Sequence, residues 1–230
     1  MLNMTKYIGT VARMGGVPAL LAPFVDSFID MVLWNQQYLL DAGEHIHYPK
    51  PTGNSVQDLA RNAIVESFEG EWLLMLDSDH SFEPDLVARL LNVAQQTGAE
   101  VVTGMYQYKM HPHSPVAYRT IGDGIFPLVE WDRSATAMVV DSSGAGCLWV
   151  KRTVFDRIRD ELHERPFARD GELSEDHSFF MRLAQLEIQT VCAPKVECHH
   201  LQVRALTLQD YDREWINCYR QVETLCFQPQ

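Results

Sequence analysis

Asp77 and Asp79, separated by one residue, close an apolar run in WLLMLDSDHSF, residues 72–82. Carboxylates so spaced on an extended chain point the same way, and a turn there could converge both on one cation. Hard oxygen donors of this kind suit Mg²⁺ or Mn²⁺, usually shared with substrate phosphates. A solvated Asp-Ser turn accounts for the same residues more plainly. Ser174-Glu175-Asp176-His177 places two further acids at a helix start. Acids there favour the helix dipole, and one of them could equally serve as a general base. Late in the chain, Cys198-His199-His200 follows a short strand and offers a neutral imidazole as a ligand, with a structural role the competing account for either histidine.

These residues need elements to position them. A first strand is expected over residues 7–11, then a Gly15-Gly16 turn and a long helix over 18–40. A short strand at 45–48 ends in the turn 49–53. Ser55 is the expected N-cap of a helix to Phe68, with Val56, Leu59, Ala60, Ala63 and Ile64 at helical spacing. The strand 72–76, a helix over 84–95 opened by Pro84 and a strand over 100–103 complete a β-α alternation. Such alternation predicts an α/β fold with a mostly parallel central sheet flanked by helices, whose ligands bind at the carboxyl ends of strands. Asp77 and Asp79 lie at that kind of edge. Beyond Tyr106 the pattern shifts to short strands at 116–120, 126–131 and 135–140. A Gly144-Ala145-Gly146 loop then feeds a strand at 147–150 and a helix from 153. The polar segment 162–174 reads as a mobile loop. Ser174 caps a helix to about 186, a last strand covers 189–192, and a terminal helix covers 207–225.

The 230 residues suffice for one substantial core, and 46% apolar content is that of an ordinary globular protein. A formal net charge of -12 disfavours a broad grip on nucleic acid or anionic membrane, though one flipped base needs only a local groove. The five cysteines are odd in number and no apolar leader core opens the sequence, so reduced thiols and a cytoplasmic location are expected. No membrane span is expected either, because the longest apolar region, 17–40, is broken by Pro23, Asp26, Asp30 and Asn35.

The order strand–Asp-x-Asp, Gly-x-Gly loop, Glu-Asp helix and late His resembles the GT-A glycosyltransferases, specifically the family 2-like enzymes common in bacteria and phages. The residues that carry the resemblance are LARNAIV (59–65), WLLMLDSDHSFEPDLVARLL (72–91), VVTGMYQYK (101–109), GAGCLWVKRTVFDRI (144–158), SEDHSFFMRL (174–183) and VECHHL (196–201). It implies a GT-A domain over 1–205, with 206–230 as a helical extension packed on that domain or on a partner. It also implies transfer of a hexosyl or pentosyl group from a nucleotide-diphosphosugar donor, with a divalent metal, Mn²⁺ or Mg²⁺, and inversion at the anomeric carbon. Asp79 would ligate the metal, Asp77 would reach it through water or hold the ribose, and His200 aligns better than His199 with the family's metal-binding histidine. Asp176 would be the base, with Glu175 as supporting acid or acceptor contact. Arg61 would touch base or phosphate, or be a surface helix residue. Thr10, Val11 and Ala12 would line the nucleotide pocket, and Gly144 and Gly146 would let backbone approach the sugar. No acid stands in His45-Ile46-His47-Tyr48-Pro49-Lys50, where relatives often read uracil with an Asp. The acceptor is open among a glycan, a protein, a lipid-linked sugar and a modified phage DNA base. His80, His111 and His113 read as outside the metal set.

Three other readings compete. A zinc site from Cys192, Cys198, His199 and His200 lacks the paired Cys-x-x-Cys or His-x₃₋₅-His spacing. A nucleotidyltransferase of related fold would need a basic, Gly-rich loop after the first strand, and Arg13-Met14-Gly15-Gly16 is thin for that. A non-catalytic nucleotide- or sugar-binding module would have no need of a base such as Asp176.

Overall fold

Residues on a strand face opposite sides in turn, so a strand apolar on both parities has to be covered on both faces. The run WLLML meets that condition, and in the computed structural model it lies inside the sheet. The structure describes residues 7–14, 20–40, 45–50, 56–121 and 124–202. In chain order its elements are β1 (Tyr7–Arg13), α1 (Ala22–Leu40), β2 (His45–His47), α2 (Gln57–Ser67), β3 (Trp72–Leu76), β4 (His80–Phe82), α3 (Leu86–Thr97) and β5 (Val101–Met105). They continue with β6 (Ala117–Ile121), β7 (Gly124–Pro127), β8 (Met138–Val140), β9 (Ser142–Ser143), β10 (Cys147–Lys151), α4 (Arg152–Leu162), α5 (Glu175–Gln185) and β11 (Thr190–His200).

The main sheet runs β2-β1-β3-β10-β5-β11-β4, with β8 also paired to β11. Strands β2, β1, β3, β5 and β11 point one way, while β10, β4 and β8 oppose them. This is the expected α/β architecture, a mostly parallel central sheet flanked by helices. A smaller sheet, β7-β6-β9, stands beside it.

The parity of β3 divides the core. Leu74 and Leu76 join Phe24 and Met31 of α1, Leu90 of α3, and Trp149. Leu73 and Met75 join Ala60 and Ile64 of α2, Phe155 of α4 and Phe179 of α5. Each such side chain contributes roughly 1.5–3 kcal/mol by leaving water, and that fixes the register from which the site projects.

Several boundaries differ from expectation. Pro84 sits in a turn ahead of α3, where the Leu86 amide donates to the Glu83 carbonyl at 3.2 Å. The strand expected at 126–131 is β7 at Gly124–Pro127, and that expected at 135–140 shortens to β8. The segment 162–174 is anchored, because Phe167 is fully buried and its amide donates to Asn62 Oδ1 at 3.0 Å. The strand expected to stop at 192 continues to His200 as β11, with a register shift between Ala193 and Glu197. The Gly15-Gly16 turn, most of the 49–53 turn, Ser55 and the 206–230 extension lie outside the described residues.

Candidate active site

The site forms where β3 ends. The Asp77 amide donates to the Gly146 carbonyl at 3.0 Å, and the Gly146 amide donates to the Tyr106 hydroxyl at 3.1 Å. The glycine loop is thus held from both sides. A Cβ on Gly146 would meet His80 Cε1 at 2.8 Å and Asp77 Oδ2 at 3.0 Å, and one on Gly144 would meet the Tyr106 hydroxyl at 2.2 Å. The room these glycines leave is therefore filled by side chains of the site itself, where the sequence suggested an approach to sugar.

Arg61 corrects the sequence reading most. Helical spacing of apolar residues put Leu59 on the buried face of α2, yet Leu59 is 43% exposed and Arg61 only 2%. The guanidinium faces inward because three protein acceptors wait there. Nη2 donates to Asp77 Oδ1 at 3.1 Å, Nε to Glu175 Oε1 at 3.3 Å and Nη1 to the Ala145 carbonyl at 3.1 Å. Burial disfavours its charge, but Asp77, Glu175 and Asp176 outweigh burial and raise its pKa. Arg61 is thus neither a surface residue nor free to grip a ligand with its whole fork. It joins the end of β3 to the start of α5. Glu175, itself buried, gives Oε1 to that joint, while its Oε2 lies 3.9 Å from Arg169 Nη2.

Asp176 is placed by the cap of α5. Ser174 Oγ accepts from the His177 amide at 3.4 Å, and Asp176 Oδ1 accepts from the same amide at 2.8 Å and from the Ser174 hydroxyl. Among the described residues no group bonds its other oxygen. Ser142 Oγ lies 3.4 Å from His177 Nδ1, and Tyr118 packs edge-on to the His177 ring. A cavity of about 450 Å³ opens beside that ring, lined by Val139, Phe180 and Met181 among others.

Asp79, His80 and His200 form a second group, with ligating atoms all within 4.8 Å of one another. Strand pairing brings them together. Antiparallel β4 and β11 set His80 opposite His200, the two rings stack at 4.4 Å and 14°, and the Leu201 amide donates to the Asp79 carbonyl at 2.7 Å. His200 Nδ1 lies 2.9 Å from the Gln107 carbonyl oxygen, which can only accept, so Nδ1 carries the proton. Nε2 is the ring nitrogen that faces the group, 3.6 Å from Asp79 Oδ2. His199, one position along the strand, is exposed and takes no part. Burial opposes ionisation of Asp79, but His200, His80 and the Lys109 ammonium beside it hold its carboxyl well below the usual range.

A divalent cation fits this donor set. Asp79 Oδ1 and both ring nitrogens of His80 are buried without a hydrogen-bond partner, an arrangement that costs free energy until something accepts those lone pairs. The cysteines fall elsewhere. Cys192 and Cys198 are buried thiols, and the four residues of the zinc reading do not come together as a ligand group among the described residues.

Thr10 is corrected too. It is fully buried, and its hydroxyl donates to the Glu69 carbonyl at 2.7 Å and accepts from the Glu69 amide at 2.9 Å, tying β1 to the turn before β3. Ala12 lines a small pocket with Arg13, Pro49 and Lys50. Sequence reasoning passed over Tyr106 and Lys109, and set His80 aside. The signal available for His80 was the alternation in His80-Ser81-Phe82, which makes a short strand and turns His80 and Phe82 to one buried face.

Comparison with known proteins agrees with this fold. Residues 40–223 match the family described as Glycosyltransferase like family 2, and the chain belongs to that family, which supports glycosyl transfer. The match reaches into the 206–230 segment. Among solved structures, the crystal structure of A197 from STIV is similar with a TM-score of 0.52 at 17% identity, over 86% of this chain and 96% of that one. That likeness is one of fold. No curated protein matches the chain. Among the described residues no helix is long and apolar enough to cross a membrane.

Proposed function

We propose that the protein is a metal-dependent, inverting glycosyltransferase that moves a sugar from a nucleotide-diphosphosugar to an acceptor hydroxyl. The observation that carries this reading is the Arg61 joint, which brings Asp77, at the metal- and nucleotide-facing end of β3, beside the helix that presents Asp176. Asp79 and His200 are the cation's ligands, and Asp77 contributes through water or holds the ribose with its second oxygen. The bound cation supplies Lewis-acid stabilisation of the charge on the leaving nucleoside diphosphate. Lys109, already paired with Asp79, lies where an ammonium can add to that stabilisation. Ala12, Arg13 and Lys50 meet at the ends of β1 and β2, where this reading puts the nucleoside. The unbonded oxygen of Asp176 takes the proton of the acceptor hydroxyl, and in-line attack then inverts the anomeric carbon. Buried, unpaired Cys147, Cys192 and Cys198 support a reducing compartment.

A panel of nucleotide sugars with Mn²⁺, scored by thermal shift and by nucleoside diphosphate release, tests this reading. One donor is expected to stabilise the protein and to be turned over. Asp79→Ala should lower turnover by about 10²–10³-fold, the scale on which loss of charge stabilisation is felt. Asp176→Asn should keep the donor's thermal shift while losing transfer. Absence of any donor response, or Asp176→Asn transferring like the parent, sinks the proposal.

A further inference from the structure

The two-carboxylate motif leads one to expect an oxygen-rich site for a hard cation, but the structure offers different donors. Asp77 Oδ1 is taken by Arg61 at 3.1 Å. His80, by contrast, is fully buried, has neither ring nitrogen hydrogen-bonded, and holds Nδ1 3.3 Å from Asp79 Oδ1. A histidine kept only to fill space would be better replaced by an apolar ring, because two buried ring nitrogens without a hydrogen bond cost free energy that the nearby Asp79 carboxylate offsets only in part. The fold instead maintains this residue at some expense. Position 146 is a glycine, and a Cβ there would run into the His80 ring at 2.8 Å. The Tyr106 ring packs edge-on against His80 at 4.6 Å and fixes its plane. The β4–β11 register sets it beside His200, whose Nε2 also faces Asp79, 3.6 Å from Oδ2.

We propose that His80 is a third protein ligand beside Asp79 and His200, and that this two-imidazole, one-carboxylate set makes the site select a nitrogen-accepting transition ion such as Mn²⁺, Co²⁺ or Zn²⁺ over Mg²⁺. Co²⁺ and Zn²⁺ bind imidazole well and Mn²⁺ accepts it beside oxygen donors, whereas Mg²⁺ keeps to oxygen donors and to its own water. The inference rests on the metal-dependent transfer reading for its biological use, but not for its chemistry.

The test uses the full chain with Mn²⁺ alone. Binding is measured by electron paramagnetic resonance, and nitrogens bound to the ion are counted from electron spin-echo modulation. The wild type is expected to show modulation from two imidazole nitrogens and to retain most of its Mn²⁺ against about 100-fold excess Mg²⁺. His80→Phe should bind Mn²⁺ at least about tenfold more weakly and show no more than one nitrogen. Its metal-free melting temperature should equal or exceed the parent's, since the orphaned nitrogens are gone. The nitrogen count on the wild type needs no variant, so a poorly folding His80→Phe does not shield the proposal. One nitrogen in the wild type, equal affinity in His80→Phe, ready displacement by equimolar Mg²⁺, or no Mn²⁺ binding overturns it. A single nitrogen in a protein that still turns over a donor removes His80 and leaves the transfer reading in place. Two nitrogens in a protein that turns over no donor does the reverse.

Discussion

A guanidinium as deeply buried as that of Arg61 keeps its charge only because carboxylates surround it, and they in turn depend on it. Removing one partner of a buried pair leaves the other's desolvation uncompensated, at about 3–5 kcal/mol. Arg61→Met, which keeps the length of the side chain, should therefore destabilise the protein by about that amount in urea unfolding, because the Glu175 carboxylate stays buried. Adding Glu175→Gln to that variant should recover a good part of the loss, the mark of coupled neighbours. A cost under about 1 kcal/mol, as at an exposed ion pair, would show that the joint is not what holds α5 to β3. Arg61 also shows where residue-level legibility stopped. Asp77, Asp79, Asp176 and His200 were singled out by type, order and family resemblance together, because a solvated turn or a helix dipole accounts for each carboxylate taken alone. The inward turn of Arg61 was not legible, since apolar spacing turns a helix by its hydrophobic face, and here three acceptors outweighed the exposure of Leu59.

At the level of elements, the long apolar runs were legible and the short ones were not. β3, α1, α3 and the cap of α5 follow from parity, helical spacing and Ser174. β4 has three residues, too few for their alternation to place it, so its position at the sheet edge depends on β11 running on to His200 past a register shift. The pairing that assembles Asp79, His80 and His200 is thus a tertiary fact. A comparable link fastens α1 to the chain after β2, where buried Asn35 Nδ2 donates to the Tyr48 hydroxyl at 2.7 Å. Burial pushes the Tyr48 phenol up to about 12, although the Asn35 bond works the other way. With the folded pKa above the unfolded value of about 10, the contribution is full below pH 10 and is lost as pH rises from there towards 12. Tyr48→Phe strands a buried amide and should cost about 1–3 kcal/mol at neutral pH. Its deficit should narrow above pH 10, as the wild type alone loses the proton-linked part. Denaturation curves for both proteins across pH 8–12 check this, and a deficit that stayed constant would show that Tyr48 titrates alike in both states.

Across the whole molecule, the site hangs on a single sheet whose middle is lined with thiols. Cys147 lies on β10, Cys192 and Cys198 lie on β11, and all three are free and buried. Strand β10 is the antiparallel member between β3 and β5, so the ends of β3 and β11 keep their spacing only while it stays in place. A sheet covered on both faces opens to reagent by giving up one of its helical layers, which for this chain amounts to losing a core. Chemistry adds a second barrier. With its thiol pushed up to about 12 by burial, Cys192 is thiolate in only about one molecule in ten thousand at pH 8, and a hydrogen bond with the Cys147 thiol, followed by burial, raises Cys198 as well. Iodoacetamide at pH 8 should therefore leave the three peptides unmodified in native protein over hours. As urea is raised, all three should become labelled together, with a midpoint matching that of circular dichroism. Peptide mass spectrometry resolves them individually, apart from Cys218 and Cys226. Labelling of Cys198 well before Cys147 would mean that the β11 edge, and with it Asp79, His80 and His200, opens as a unit of its own. The metal-binding and base-bearing parts of the site would then differ in stability, and a bound divalent cation should close that gap by binding only the paired edge.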